Sequence, residues 1–245
     1  MLRGFFRLLG ALPLLLGAPV GAWASFTVGA GSSLSFGNAD VDFAEGDLQV
    51  AGTLEAGAGV LDRVRHVTVD AGATLDAGAA TIRVCGNWTN FGSFAPGTST
   101  VEFFDGCGLS GAEFAGDTTF SSIDMTTATG KEYRFTAGSQ QTVVASLALQ
   151  GVLGNRLLLR SDQAGTAAFL QVQGTGSGFF VDVDDVDASS GSTIELGAFS
   201  SIGSNAPGWS SSGPPGVPSA GVSALGLLFV GLLWAGRRSL VSSRV

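Results

Sequence analysis

The chain has 245 residues, of which 38 are glycine, and its 20 acidic against 12 basic side chains give a formal net charge of −8. So acidic a surface repels the phosphates of nucleic acids and of anionic lipid headgroups, which excludes nucleic acid as an expected partner. With two cysteines and one histidine in the whole chain, a zinc site built from Cys and His ligands is also excluded.

Residues 1–24 have the pattern of a secretory signal peptide. Arg3 and Arg7 precede an apolar run, LLGALPLLLGAPVGA, and small residues stand at Ala22 and Ala24. Signal peptidase reads small side chains at these two positions, so we expect cleavage before Ser25 and export across the inner membrane. An uncleaved anchor is the alternative.

Residues 25–209 have the pattern of an all-β domain. Capped segments with a 3.6-residue apolar stripe are absent, whereas short alternating or β-branched runs recur: HVTVD, TIRV, STVEFF, QTVVASLAL and FFVDVDDV. Between residues 25 and 219 all 20 acidic residues stand against 7 basic ones, a net charge of −13. This charge suits solubility in an ion-rich external medium.

A short signature repeats through the first part of this domain: an apolar residue followed two or three positions later by glycine. The closest pair of copies is TLEAGA and TLDAGA. The apolar residues lie about 20 positions apart along the chain. Together with their glycines they are Leu34 and Gly37, Leu54 and Gly57, Leu75 and Gly78, Phe94 and Gly97, Phe114 and Gly116, and Phe135 and Gly138.

This period predicts a right-handed parallel β-helix or β-solenoid with rungs of about 20 residues, in which the recurring Leu or Phe forms an inward ladder. Glycine is expected at the corners, where the chain needs a positive φ or where the next rung leaves no room for a Cβ. The alternative is a β-sandwich with turns every 8 to 12 residues. Beyond Leu149 the period fades, and Trp209 is expected to cap the last rung.

Cys85 and Cys107 lie in the exported part of the chain, where an oxidising compartment permits a disulfide. Such a bond closes a loop of roughly 20 residues and contributes about 3 kcal/mol in the chain-entropy model. Two free buried thiols are the alternative, and redox chemistry is the least favoured interpretation.

The acidic string at residues 181–187 is a weak candidate for a Ca²⁺ site, with Asp182, Asp184 and Asp187 as the ligands, because hard cations take several carboxylate oxygens. It does not fit an EF-hand loop. The simpler interpretation is a strand with Val181 and Val183 inward and the carboxylates in water. No cofactor other than this Ca²⁺ is expected.

Three further features have simple structural interpretations. The acidic patch Asp40, Asp42, Glu45 and Asp47 alternates with Val41 and Phe43, as a half-buried strand does. The single histidine, His66, stands between strand residues with no triad partner in view. The triplet Asn87-Trp88-Thr89 matches the glycosylation pattern, which occurs often by chance.

The C-terminal part divides into a Pro/Gly/Ser linker at residues 210–219, an apolar helix at 220–236 and a basic cytoplasmic tail at 237–245. Seventeen residues at about 1.5 Å each span about 25 Å, the short limit for crossing a bilayer core. The segment lacks a polar face, so a soluble core helix is disfavoured. A sorting signal and a plain membrane anchor both remain open.

The order of Val217-Pro218-Ser219, a short apolar helix and Arg237-Arg238 resembles the tripartite C-terminal sorting signals of the PEP-CTERM and IPTL-CTERM classes of Gram-negative bacteria. That resemblance implies attachment at the membrane or cell surface and processing by an exosortase-type membrane enzyme. The segments NWTNFGSFAPGTSTVEFFDG and GSTIELGAFSSIGSNAPGW resemble the β-repeat segments of autotransporter-like surface proteins. This second resemblance implies a surface setting and no activity.

The sequence therefore predicts an exported surface protein, structural or adhesive, and not an enzyme; its expected partners are the membrane and an extracellular polysaccharide or matrix. The alternative is a carbohydrate-binding or carbohydrate-processing β-helix, and a third possibility is an inert spacer. An enzyme would gather carboxylates and an arginine beside a groove on one face. A structural protein would scatter its acidic residues in isolated pairs.

Overall fold

The structure, a computed structural model, describes residues 25–212, and every element in that range is a β-strand. The chain winds into a parallel β-solenoid of about eight rungs with about 21 residues each. All pairings between strands are parallel. The alternative of a β-sandwich is therefore wrong, since its sheets are antiparallel.

The 24 strands, numbered in chain order, form three faces. Sheet A contains β1 (Phe26–Val28), β4 (Leu48–Val50), β7 (Val67–Val69), β10 (Trp88–Asn90), β13 (Gly111–Ala115), β15 (Glu132–Phe135), β17 (Leu157–Ser161), β20 (Val181–Asp184) and β23 (Ser201–Ile202). Sheet B contains β2 (Ser33–Ser35), β5 (Thr53–Glu55), β8 (Thr74–Asp76) and β11 (Ser93–Ala95).

Sheet C has eleven strands. It contains β3 (Val41–Asp42), β6 (Val60–Val64), β9 (Thr81–Val84), β12 (Thr100–Phe103), β14 (Thr118–Thr126), β16 (Gln140–Gln150), β19 (Thr175–Phe179), β22 (Ile194–Leu196) and β24 (Trp209–Ser211). In addition, β18 (Ala168–Val172) pairs with the first half of β16, and β21 (Val186–Asp187) pairs with β18. From β14 onward, the face that sheet B occupies in earlier rungs is continued by the first halves of β14 and β16 and by β18.

The inward ladder that the repeat predicts is present in sheet B. Leu34 aligns with Leu54, Leu54 with Leu75, and Leu75 with Phe94. Leu54 and Leu75 are fully buried. Successive side chains along each strand point alternately into and out of the solenoid. One apolar residue per strand, stacked on the equivalent residue of the next rung, therefore continues the core.

Phe114 and Phe135 do not continue this ladder, contrary to the prediction. Both lie in sheet A, where Trp88 aligns with Phe114 and Phe114 with Phe135. Phe120 takes the place above Phe94, with ring centroids 5.6 Å apart. The signature of an apolar residue and a glycine marks any corner with a positive φ, so it cannot tell one corner from another.

The glycines of the repeat stack on one another, as Gly57 shows. Its φ is +80°, and a Cβ built on it would lie 1.5 Å from the carbonyl oxygen of Gly37 in the preceding rung. Gly78 in turn has a φ of +55° and places its own would-be Cβ 2.5 Å from the carbonyl oxygen of Gly57. Both reasons expected for glycine, backbone conformation and close approach, therefore act at the same corner.

Aromatic residues close both ends of the described solenoid. At the first rung the rings of Phe26, Phe36 and Phe43 pack together, with centroids 5.7 to 6.5 Å apart. At the last rung Trp209 is buried, aligns with Ile194 and donates its indole N–H to a main-chain carbonyl oxygen at 2.8 Å. Trp209 thus lies where a cap is expected, since an uncovered solenoid end exposes core and strand edges.

Within residues 25–212 no helix is long and apolar enough to cross a membrane. The predicted signal peptide, with Ala22 and Ala24, and the predicted sorting segment, with Val217, Pro218, Ser219, Arg237 and Arg238, lie outside the described residues.

Candidate functional site

The corner where sheet C leads into sheet A, which we name the C–A corner, carries the one disulfide of the chain. Cys85 follows β9 and Cys107 follows β12, so they lie at this corner on adjacent rungs, with Cα atoms 6.0 Å apart. Both are buried, at 1% and 8% exposure. The bond therefore staples two rungs at a place where they are joined by loops instead of strand pairing.

Lys131 lies beside this disulfide and is fully buried. Its ammonium donates hydrogen bonds to the carbonyl oxygens of Cys85 and, at 3.0 Å, of Phe104. Burial lowers the pKa of Lys131 to about 8, although the Asp105 carboxylate acts in the opposite direction. Lys131 was not among the residues predicted from the sequence, but its alternation with Tyr133 and Phe135 between charged neighbours is the signal for its inward position.

Asp105 holds the loop above it in place. Its carboxylate accepts hydrogen bonds from the main-chain N–H of Ala128 at 2.7 Å and from the hydroxyl of Thr127 at 2.8 Å. Partial burial raises the pKa of Asp105, but these hydrogen bonds outweigh it and the net pKa is lowered. This carboxylate is therefore ionised at neutral pH, and it is hydrogen-bonded to the backbone of the next rung.

The outer face of sheet C carries a column of charges in register. Asp42 aligns with Asp62, Asp62 stands beside Arg83 in the next rung, and Arg83 aligns with Glu102. The Arg83 guanidinium lies 2.7 Å from Asp62 and 3.1 Å from Glu102, so it bridges the carboxylates on both sides. The single cation between Asp62 and Glu102 offsets the repulsion that these stacked carboxylates would otherwise have.

The carboxylates of the acidic patch in the first rung have separate partners. Asp42 pairs with Arg63, and the hydrogen bond from that guanidinium lowers the pKa of Asp42. Asp40 accepts the main-chain N–H of Val60 at 2.8 Å. Phe43 points inward at 8% exposure, as the alternation predicts. These carboxylates tie the first rung to the second one.

The three candidate Ca²⁺ ligands lie on two different faces. Asp182 and Asp184 point outward from β20 in sheet A, whereas Asp187 belongs to β21, beyond a corner at Asp185 with a φ of +55°. Val181 and Val183 are fully buried, in agreement with the simpler interpretation of the string. The run FFVDVDDV, read from the sequence as one strand, therefore crosses two corners.

Each of these carboxylates is held by groups of its own. Asp182 lies 2.8 Å from Arg160, Asp184 accepts the N–H of Ser204 at 2.6 Å, and Asp187 accepts the N–H of Ser189 at 2.8 Å. No group of three or more His, Cys, Asp or Glu side chains converges as a metal site in residues 25–212. The carboxylates of this segment are thus engaged with neighbouring chain.

His66 and Asn87 occupy equivalent corner positions and perform the same task. The Nδ1 atom of His66 accepts the N–H of Asn87 at 2.9 Å, and the side-chain oxygen of Asn87 accepts the N–H of Glu113 at 3.0 Å. Burial lowers the pKa of His66, which keeps its imidazole neutral and able to accept. The sequence identified neither role, because each depends on a partner at least 21 residues away.

Two of the open cavities of the solenoid lie in its middle and later rungs. The first, of about 320 Å³, lies on sheet A and is lined by Asn87, Glu113, Glu132 and Arg134, among others. Arg134 already pairs with Glu132 at 2.5 Å on the same strand. This cavity is polar, and its arginine is neutralised by a neighbouring carboxylate.

The second cavity, of about 430 Å³, lies at the C–A corner and has a mixed lining with Leu153, Arg156, Phe180 and Phe199. The rings of Phe180 and Phe199 are stacked, with centroids 5.3 Å apart and planes 3° from parallel. Apolar walls with a few polar groups are typical of sites for small molecules. This site could not be predicted from the sequence, because most of its residues come from four different loops.

No protein-family profile matches the chain, and neither the curated proteins nor the solved structures contain a match to it.

Proposed function

We propose that this chain is an exported cell-surface protein with a structural or adhesive role in a matrix, biofilm or envelope layer. The observation that supports it best is that the charged side chains contact neighbouring rungs. Arg83 bridges the carboxylates of two rungs, and Asp40, Asp105 and Asp184 each accept hydrogen bonds from the backbone of another rung. Side chains used in this way stabilise a long acidic body instead of forming a reaction centre.

The mechanism would be presentation of a rigid, acidic surface that a disulfide stabilises. Parallel rungs bury a continuous core, and the disulfide with Lys131 fastens the C–A corner in the middle of the body. Rigid scaffolds of this kind support multivalent contact, because equivalent positions recur at a fixed spacing. We take the solenoid to be right-handed, since parallel β-connections are right-handed in nearly all proteins.

Delivery and attachment are the second part of the proposal. The segment ending at Ala22 and Ala24 would direct export, and the segment from Val217-Pro218-Ser219 to Arg237-Arg238 would sort and anchor the protein at the membrane. An exosortase-type enzyme is the expected processing partner. The partner at the surface would be an extracellular polysaccharide or matrix component.

The test is the intact mass of the protein isolated from its native host, combined with protease treatment of whole cells. We expect an N-terminus at Ser25, loss of the protein on protease treatment, and a C-terminus either near Ser219, if the sorting segment is cut, or at Val245, if it is retained. An N-terminus at Met1 in a protein that is protected in intact cells but digested after lysis would contradict the proposal.

Carbohydrate binding is the second candidate function. The observation that favours it is the mixed apolar and polar cavity at the C–A corner, with the stacked rings of Phe180 and Phe199. The two functions are compatible, because an adhesive surface protein needs at least one ligand.

A further inference from the structure

Four loops meet at the C–A corner of the later rungs. They are the loop with Thr129 and Gly130, a short hairpin from Val152 to Asn155, and the corners at Phe180 and Phe199. Together they line the cavity of about 430 Å³. The hairpin forms one wall of this cavity, and it is an addition to the regular strands and corners of the solenoid.

The two phenylalanines adopt a backbone conformation that bulky residues rarely take. Phe180 has a φ of +55° and Phe199 a φ of +64°, in the left-handed region. This conformation costs about 1 to 2 kcal/mol for a residue with a Cβ, and glycine would avoid most of the cost. Residues held in strained backbone conformations cluster at active sites and ligand-binding positions.

Burial does not explain Phe199, because 55% of it is exposed. Its ring lies flat on that of Phe180, which is half-buried and fixes the orientation of the pair. The result is an aromatic surface that is held in position before any ligand arrives. A surface held in this way loses little conformational entropy when it binds.

The polar groups of the cavity are also held in place. The Arg156 guanidinium donates to the hydroxyl of Ser201 at 3.0 Å and lies 3.7 Å from the Asp182 carboxylate. The amide of Asn155 donates to the Ala128 carbonyl at 2.8 Å. The Asp182 carboxylate, which also pairs with Arg160 at 2.8 Å, offsets part of the charge of Arg156, and the Arg156 guanidinium offers N–H donors held in place.

We propose that this cavity binds a neutral saccharide, with one face of a sugar ring against Phe199 and Leu153 and its hydroxyl groups towards Arg156 and Asn155. A sugar ring has an apolar face of C–H groups and a rim of hydroxyls, which is the combination these walls provide. Anionic ligands are disfavoured, because the chain carries a net charge of −8 and the one arginine in this cavity lies 3.7 Å from a carboxylate, that of Asp182. The inference deepens the proposed adhesive function and rests on it for the choice of an extracellular ligand.

The experiment is a binding assay on the full chain, purified in a zwitterionic detergent without a sugar headgroup, because a glycoside detergent would compete for the site. The probes are neutral oligomers of β-1,4-glucose, α-1,4-glucose, β-1,4-xylose and N-acetylglucosamine, with oligogalacturonate as the anionic comparison. Saturation-transfer NMR and calorimetry measure the affinity. We expect at least one neutral oligomer to bind saturably and oligogalacturonate to bind at least tenfold more weakly.

Variants assign the site. Phe199→Ala should lower the affinity at least tenfold, and Leu153→Ala, at a hairpin position that is 77% exposed, should lower it severalfold. The matched control is Phe91→Ala, since Phe91 is also an exposed phenylalanine, at 63%, and lies outside the cavity lining. Circular dichroism and the thermal midpoint check that each variant keeps the wild-type fold.

Absence of saturable binding by every neutral oligomer would overturn the proposal, as would preferential binding of oligogalacturonate or equal affinities of the Phe199→Ala and wild-type proteins. These outcomes are separate from a failure of the proposed function, which is decided by the N-terminus and the protease accessibility in the native host. A surface-exposed protein that binds no saccharide would overturn this inference alone.

Discussion

The ammonium of Lys131 donates a hydrogen bond to the carbonyl oxygen of Cys85, 46 residues earlier in the chain. The contact joins two loops of the C–A corner at the point where the disulfide also acts. Lys131 is the only lysine in the sequence, and its exposure is 1%. A single buried cation beside the disulfide gives this protein measurable properties that a surface lysine would not give.

The first prediction concerns the dependence of stability on pH. The pKa of Lys131 is about 8 in the folded protein and about 10.4 in an unfolded chain, so the unfolded state holds more protons between these values. The free energy of unfolding should therefore rise with pH from about 8, with a slope of up to about 1.4 kcal/mol per unit. Above pH 10 the raised pKa of the buried Tyr133 acts in the opposite direction.

Chemical denaturation between pH 7 and 10 measures this slope. Lys131→Met should remove it, while Arg134→Gln, which changes an exposed cation three residues further along the chain, should retain it. The folded protein should also resist amine-reactive labels at Lys131 until it is denatured. A wild-type stability that stays flat from pH 8 to 10, or rapid labelling of Lys131 in the folded state, would show that the ammonium is accessible to solvent.

The second prediction concerns the disulfide. Reduction of the bond between Cys85 and Cys107, 22 residues apart, should lower the free energy of unfolding by about 3 kcal/mol, because the reduced unfolded chain gains conformational freedom. Urea denaturation with and without a reductant measures the difference. The double variant Cys85→Ala/Cys107→Ala is the control, and its midpoint should not respond to reductant.

The third prediction concerns the charge column of sheet C. Arg83→Gln leaves Asp62 and Glu102 without their common partner, so it should destabilise the protein by roughly 1 kcal/mol at low ionic strength and by less in 0.5 M salt. Thermal midpoints at 20 mM and 500 mM NaCl test this. Arg134→Gln, which breaks a pair within one strand, should change the midpoint little at either salt concentration. An Arg83 variant with no dependence on salt would show that the column does not act electrostatically.

The fourth prediction separates two costs of replacing glycine. Gly57 and Gly138 both have a positive φ, of +80° and +76°, but only at Gly57 does a would-be Cβ collide with the backbone, whereas nothing lies within 4 Å at Gly138. Gly138→Ala should therefore cost about 1 kcal/mol from the backbone conformation alone. Gly57→Ala should cost several kcal/mol, because two rungs must move apart. Equal denaturation midpoints for the two variants would contradict the stacking of Gly57 on Gly37.

Part of the repeat could be predicted correctly from the sequence. Leu34, Leu54, Leu75 and Phe94 were predicted to form a ladder, and they do, because each rung in this part repeats the same strand and corner. Phe114 and Phe135 have the same spacing but lie in sheet A. Insertion of a few residues between Phe103 and Gly111 is enough to move the signature from one corner to another.

The candidate sites show the opposite case. Asp182, Asp184 and Asp187 are close in sequence, yet a corner at Asp185 sends Asp187 to another face. Phe180 and Phe199 meet although 19 residues separate them and neither stands in a recognisable motif. Proximity along a solenoid therefore depends on the length of each rung, which the sequence pattern gives only to within a few residues.

The sequence by itself determined the β-class, the period of the early rungs, the inward ladder and the need for glycine at corners, because these follow from local alternation and from the backbone freedom of single residues. Only the tertiary structure decided that Lys131 is buried against the loop of Cys85, that the carboxylates are divided among separate rungs, and that four loops line an open cavity beside Phe199. The physical reason is that these contacts join residues about 20 to 46 positions apart, and small changes in rung length decide which of them meet.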